Sequence, residues 1–222
     1  MHSARSEGMR PYHLKEVFMK ITKVFATSVL LFFLLSLPTG SAYAGAPTDQ
    51  IKQTVDKVLD ILRNKEMKKP ANEKKRRAEI RKVVSERFDF ADMAKRSLGI
   101  YWRQRTPEER KEFVPLYTDL LERTYIKKIE GYTDERIDYT GENINDGYAV
   151  VDTKVVTEKN TVIPIQYRML NENGQWMVYD VSIEGVSLIN NYRNQFSSII
   201  HQKSYEELVK KLKNKEQQSR GE

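Results

Sequence analysis

Apolar residues recur at helical spacing after residue 45, switch to strict alternation near residue 136, and return to helical spacing after residue 185. The first stripe is Ile51, Val55, Val58, Leu59 and Leu62, with Thr48 as its expected N-cap. Pro70 and Asn72 separate it from a second stripe of Ile80, Val83, Val84 and Phe88. Asp89 is placed to cap a short helix carrying Phe90, Met93, Ala94 and Leu98, and Gly99 suits its C-terminal turn. Thr106-Pro107-Glu108-Glu109 combines a capping threonine, a first-turn proline and the glutamate of a capping box. The helix it opens carries Phe113, Leu116, Tyr117, Leu120, Leu121 and Tyr125, a face broad enough to cover a sheet, and should end near Gly131.

Alternation predicts strands over Arg136–Tyr139, Gly147–Thr157, Thr161–Leu170 and Gln175–Ile183, with Asn171–Gly174 as a hairpin turn. Ile163, Ile165, Tyr167 and Met169 share one face of the third. In the fourth, Met177, Tyr179, Val181 and Ile183 are expected on one face, with Trp176, Val178, Asp180 and Ser182 on the other. Pro164 within the third strand suggests an edge or a bulge. A helix follows with Val186, Ile189, Tyr192, Phe196, Ile199 and Ile200, then a last one with Tyr205, Leu208, Val209 and Leu212. Helices, an antiparallel meander and further helices indicate an α+β class, with helices packed on a curved sheet of about four strands.

The segment before the fold reads as a secretory signal. Val24–Leu37 is an apolar run of 14 residues with Lys15, Lys20 and Lys23 ahead and Ser41-Ala42-Tyr43-Ala44 behind. A spanning helix needs about 20 apolar residues, so cleavage after about Ala44 is favoured over a membrane anchor. Met19 is the better start for such a signal. Without residues 1–44 the chain keeps 178 residues, with 33 basic against 29 acidic side chains, a net +4. One domain is expected over 45–213, followed by a disordered tail over 214–222. There is no cysteine, so neither a disulfide nor a lipoprotein anchor is available. His201 is the one histidine beyond the leader, and it belongs to a helix surface rather than to a metal or nucleophile site.

Candidate binding residues come from periodicity. Leu116, Leu120, Val151, Val155, Ile163, Ile165, Val181, Ile183, Ile189 and Phe196 converge from four elements. Their spacing says inward and fits a packed core as well as a cavity wall. Tyr101, Trp102, Tyr117, Tyr125 and Tyr192 suit a cavity mouth, where a ring meets apolar matter and a hydroxyl meets water, or equally the rim of a core. Asp180 is expected to bond the Gly185–Ser187 backbone and cap the next helix. Arg193 can take a phosphate or pair with a surface carboxylate. Between Arg63 and Arg87, eleven basic residues stand against four glutamates. That patch suits an anionic surface or an acidic partner, or is a solvated helix face.

Phe88-Asp-Phe-Ala-Asp-Met-Ala94, Leu98-Gly-Ile-Tyr-Trp102, Thr106-Pro-Glu-Glu-Arg110 with Phe113, Leu120-Leu121 with Thr124-Tyr125, and Trp176 to Phe196 together resemble the MlaC family, also known for toluene tolerance. The resemblance implies a helix-and-curved-sheet fold similar to the nuclear transport factor 2 and cystatin-like group. It implies a soluble periplasmic phospholipid carrier with no cofactor, the lipid being cargo. Such carriers shuttle lipid between an outer-membrane lipoprotein–porin complex and an inner-membrane ABC transporter complex with its MCE-type subunit, maintaining outer-membrane asymmetry. Implied cavity residues then include Leu98, Tyr101, Trp102, Phe113, Tyr117, Tyr167 and Tyr192 beside the convergent set, with Asp180, Gly185, Ser187 and Arg193 as structural motif residues. The chain departs from the family at Gln202-Lys203-Ser204, where a glycine often precedes the last helix. Two other classes compete. One is a docking or chaperone module with a filled core. The other is an enzyme, because the same broad fold group includes ketosteroid isomerase, which works through a carboxylate base. A buried isolated carboxylate in the cavity would favour the enzyme, a filled core the module, and a dry apolar cavity the carrier.

Overall fold

The computed structural model describes residues 46–132 and 135–220, so the expected leader over 1–44 lies outside them. The order is α1 (Pro47–Arg63), α2 (Glu73–Ser85), α3 (Phe90–Leu98), α4 (Pro107–Glu130), β1 (Arg136–Asn145), β2 (Tyr148–Val156), β3 (Val162–Glu172), β4 (Gln175–Ile183), β5 (Val186–Ser187), α5 (Leu188–Gln202) and α6 (Tyr205–Arg220). The five strands form one antiparallel meander in sequence order, and the α+β expectation holds.

The caps show why the helices start where they do. In α3, the Asp89 carboxylate accepts from the Asp92 N–H at 2.9 Å. In α4, Thr106 Oγ1 accepts from the Glu109 N–H at 3.2 Å while Glu109 accepts from the Thr106 N–H at 2.8 Å, the reciprocal capping box. Gly99 ends α3 at φ +57°, a left-handed conformation that a side chain would strain. Thr48, by contrast, is not the cap of α1. Pro47 occupies the first helical position, where its fixed φ belongs, and the helix begins ahead of Thr48. The Thr48 N–H and hydroxyl both donate to the Glu142 carboxylate of β1, the N–H at 2.7 Å. Ser204 caps α6, accepting from the Glu207 N–H at 3.2 Å, so the last turn forms without the family's glycine. Helical backbone continues to Arg220, past residue 213 where a tail was expected to begin.

Besides a bulge at Thr140 in β1, the sheet differs from the expected strands at three points. β1 extends to Asn145, six residues beyond Tyr139. Its outer half is polar and exposed and carries no apolar rhythm, but Asp146 at φ 46° and Gly147 at φ 77° form a tight hairpin that pairs it with β2. Pro164 lies on an inner strand. Its carbonyl accepts from the Glu184 N–H at 2.9 Å, and a ladder residue turns N–H and C=O to the same neighbour. The missing N–H therefore faces the side where β4 has already ended. The third departure is in β4. Met169 sits opposite Val178 and Arg168 opposite Asp180, so Tyr179 has no partner across the strand. One extra residue reverses the phase. Trp176 and Val178 consequently join Val181 in one buried cluster, against the expected split between faces.

Three apolar clusters result. The largest unites α3, α4, α5 and α6 around Leu98, Phe113, Tyr117, Tyr192, Phe196 and Leu208. A second lies on the sheet and includes Ile51, Val151, Met169, Val178 and Val181. A third joins α1, α2 and the end of α4 through Leu59, Leu62, Ile80 and Ile126.

Candidate functional site

A cavity of about 240 Å³ opens where the three clusters fail to close on one another. The helical cluster supplies Phe88, Phe90, Met93, Leu121 and Tyr125. The sheet supplies Ile165, Tyr167, Val181 and Ile183, with Leu188 from the start of α5. The third cluster supplies Ile80, Val84, Ile126 and Ile129. The charged residues lining it are Arg77, Arg81 and Glu122, and Thr118 adds a hydroxyl. Among the described residues no cluster suited to a metal ion is present.

Apart from those three charged residues the lining is neutral. Burial pushes the Tyr125 phenol up to about 12, and burial does the same for Tyr167, which lies opposite Val181 across the ladder. Both hydroxyls therefore stay protonated at any physiological pH.

The mouth is ionic. Arg76 and Arg77 on α2 both donate to Glu130 on α4, at 2.6 and 2.8 Å, and Arg77 also meets Glu73 at 2.7 Å. Burial alone would raise the Glu130 carboxyl pKa, but the bonds from Arg77 and Arg76 outweigh it and hold the group below its usual value. One turn further along α2, Arg81 pairs with Asp119 and, at 2.5 Å, with Glu122, both on α4. These bridges span α2 and α4 beside the opening.

The expected site residues divide. Ile165, Tyr167, Val181 and Ile183 line the cavity. Leu98, Phe113, Leu116, Tyr117, Leu120, Ile189, Tyr192 and Phe196 are instead packed together in the helical core. Tyr117 is fully buried there and accepts from Ser97 Oγ at 2.9 Å. Trp102 packs on the outside of that core, with the Arg110 guanidinium 5.4 Å from its ring centre, and Tyr101 is half-buried in the preceding 3₁₀ turn. Val151 is buried in the sheet cluster, while Val155 and Ile163 are half-buried partners one row beyond Ile165. The cavity thus lies between α2, the second half of α4 and the sheet. The helix carrying Ile189, Tyr192 and Phe196, all expected among the walls, contributes only Leu188. Ile80, Val84 and Phe88 had been legible as an apolar stripe; nothing in their spacing marks them as facing a void.

The motif residues act structurally. Asp180 is buried and accepts from Ser187 Oγ at 2.6 Å and from the Ile189 N–H at 3.1 Å. Ser187 in turn caps α5, accepting from the Asn190 N–H at 3.1 Å. Asp180 thus holds the start of α5 through the Ser187 hydroxyl and the Ile189 amide, rather than through the Gly185–Ser187 backbone. Glu184 and Gly185, at φ 51° and 80°, make the turn that brings Ser187 back over β4. Arg193 donates to the Arg96 carbonyl at 2.8 Å and to Asn190 at 3.2 Å. His201 is exposed.

A second hollow, of about 500 Å³, is lined by Thr140, Asp152, Lys154, Gln166 and Arg168. It is larger but polar, and Gln166 already donates to Asp152 at 2.8 Å across it. The smaller cavity, by contrast, is lined mostly by apolar side chains.

Lys65, Lys68, Lys74, Lys75 and Lys82 are exposed, and no ion pair occupies them among the described residues, in contrast to Arg76, Arg77 and Arg81 of the same segment. Among the described residues no helix is long and apolar enough to cross a membrane.

Comparison with known proteins matches residues 52–214 to the family model described as MlaC protein. The intermembrane phospholipid transport system binding protein MlaC of Haemophilus influenzae is 23% identical over 192 residues, covering 83% of this chain and 90% of that protein. Toluene tolerance protein ttg2D of Pseudomonas putida is 27% identical over 171 residues, covering 76% and 79% respectively. The structure of a phospholipid-binding protein from Ralstonia solanacearum, solved in complex with a phospholipid, superposes with a TM-score of 0.72 at 25% identity, over 78% of this chain and 98% of that one. With the fold shared and the family model spanning most of α1 to α6, the chain belongs to the MlaC protein family.

Proposed function

We propose that this protein is a soluble, non-catalytic phospholipid carrier of the periplasm. The observation that carries the reading is the cavity, lined mostly by apolar side chains with Arg77, Arg81 and Glu122 as its charged members. That division suits a molecule with an apolar body and a polar head. Related proteins named for phospholipid transport, and a fold neighbour solved with a phospholipid, support the same assignment. Asp180 is buried but engaged in holding α5 and does not line the cavity, so it is not the isolated cavity carboxylate an enzyme would need.

Each methylene withdrawn from water contributes about 0.8 kcal/mol, so two acyl chains of ~30 methylenes amount to roughly 24 kcal/mol. A carrier must cover nearly all of that surface or the lipid stays in its membrane. Ordinary ligand pockets span about 300–1,000 Å³. The cavity, at about 240 Å³, lies below that range, so lipid uptake requires α2 to part from α4 and the sheet. We assign the chain-binding walls to Ile80, Val84, Phe88, Leu121, Tyr125, Ile126, Ile165, Tyr167, Val181 and Ile183.

In this reading residues 1–44 form the export signal, cleaved after about Ala44, and 45–213 form the lipid-binding domain. Docking alternates between an outer-membrane lipoprotein–porin complex and an inner-membrane ABC transporter complex with its MCE-type subunit. The unpaired lysines of the α2 segment speed such encounters electrostatically. The test is native mass spectrometry of the protein purified from its compartment without detergent, followed by organic extraction. Stoichiometric phospholipid is the expected result. A bare protein mass, together with failure to take lipid from vesicles, would refute the carrier.

A further inference from the structure

The proposed carrier function leaves open what the ionic mouth recognises, and the inference here rests on that function. Arg77, Arg81 and Glu122 line the cavity, and Arg76, Glu73, Glu130 and Asp119 complete their ion pairs, three cations and four anions in all. The two halves of this set differ. The Arg76 and Glu130 side chains are only 14% and 13% exposed, and Arg76 is also fixed by the Met67 carbonyl at 2.7 Å. Arg81 is 43% exposed, and it alone both lines the cavity and bridges to Asp119 and Glu122.

An exposed ion pair is held weakly and exchanges partners readily. A phosphodiester offers the guanidinium the same two-oxygen geometry that a carboxylate does. A lipid whose chains lie against Val84, Leu121 and Ile126 places its head at this mouth, beside Arg81. When the phosphate takes Arg81, Asp119 and Glu122 lose their cation. A headgroup with only a negative charge would leave those two carboxylates without a cation. A headgroup carrying an ammonium would satisfy the two released carboxylates instead.

We propose that Arg81, Asp119 and Glu122 form a headgroup subsite for zwitterionic aminophospholipids, with Arg81 binding the phosphate and the two carboxylates binding the ammonium. Lys74, Lys75 and Lys82 lie exposed on the same helix and attract any anionic surface, so the discrimination belongs to the mouth rather than to the lysine face.

The test uses vesicles of equal phosphatidylethanolamine and phosphatidylglycerol with identical acyl chains. The exported protein is incubated with them and separated, and its bound lipid is quantified by mass spectrometry. The wild type should be enriched several-fold in phosphatidylethanolamine. Arg81→Gln should lower total loading several-fold, with unchanged thermal unfolding as the check on folding. The double variant Asp119→Asn/Glu122→Gln should still load, but in the ratio of the vesicles. Wild type that carries lipid in the vesicle ratio, or a double variant that keeps the enrichment, would overturn the subsite while leaving the carrier reading standing. Wild type that takes no lipid at all would overturn both. Millimolar inorganic phosphate should leave the bound ratio unchanged; displacement of lipid by it would reassign Arg81 to a free anion and overturn the headgroup assignment.

Discussion

Placing a tryptophan in the cavity wall separates void from core. Val181 is 6% exposed, points from β4 into the cavity, and lies opposite Tyr167. Val181→Trp sends an indole into the roughly 240 Å³ of open space instead of into packed atoms. If the ring excludes about four methylenes of acyl chain at ~0.8 kcal/mol each, lipid binding weakens by about 3 kcal/mol, or roughly 200-fold. Folding stability should hold, because the ring meets a void. The same change at Leu120 makes the opposite prediction. Leu120 is 9% exposed and packed in the helical cluster, away from the cavity lining. Leu120→Trp overpacks that core and should destabilise by about 1–3 kcal/mol, lowering Tm by several degrees while the folded fraction still binds lipid. The assay is equilibrium transfer of a fluorescent phospholipid from vesicles, paired with thermal unfolding of both variants. A folded Val181→Trp protein that takes lipid at the wild-type level would refute the placement of the cavity.

Two further outcomes follow from the polar groups. Asp180→Ala removes the acceptor of both the Ser187 hydroxyl and the Ile189 N–H and should cost about 1–3 kcal/mol of stability by chemical denaturation, leaving lipid selectivity unchanged. Glu130→Gln leaves Arg76 and Arg77 without their shared anion and should cost on the order of 1 kcal/mol at neutral pH, after allowing for solvent screening. The Glu130 pKa is held below its usual value, so its contribution is fully present above about pH 4.3, the ordinary carboxylate value, and is lost as pH falls through the lowered one. The gap between wild type and Glu130→Gln in unfolding free energy should therefore close below about pH 4; a gap that persists into strong acid would show that the ion pairs do not carry it.

Helix positions were legible from the chain because their signals are local. The Thr106–Glu109 capping box, the Asp89 cap and the Gly99 terminator act within a few residues, and each forms as its sequence predicts. The α+β class followed from the switch in apolar period, and the family from motifs spread across the chain. The Tyr179 bulge escaped that reading. A bulge is a relation between two strands, set by which residue lies opposite which, and β4 alone alternates perfectly well without it. The bulge puts Trp176 and Val178 on the same side as Val181.

The chain by itself determined most of the residues that avoid water, because periodicity follows from backbone geometry and a residue's own chemistry, although Val186, read as part of a helical stripe, lies exposed in β5. It did not determine which of those residues touch one another. Phe113 and Ile165 both read as inward, yet Phe113 is sealed among the rings of Tyr117, Phe196 and Tyr205 while Ile165 faces open space. Only the tertiary structure decided that. A cavity is the volume left where α2, α4 and the sheet are kept apart, here spanned by long arginine side chains reaching Glu130, Asp119 and Glu122. Such a gap depends on distances between elements far apart in sequence, and no local pattern encodes it.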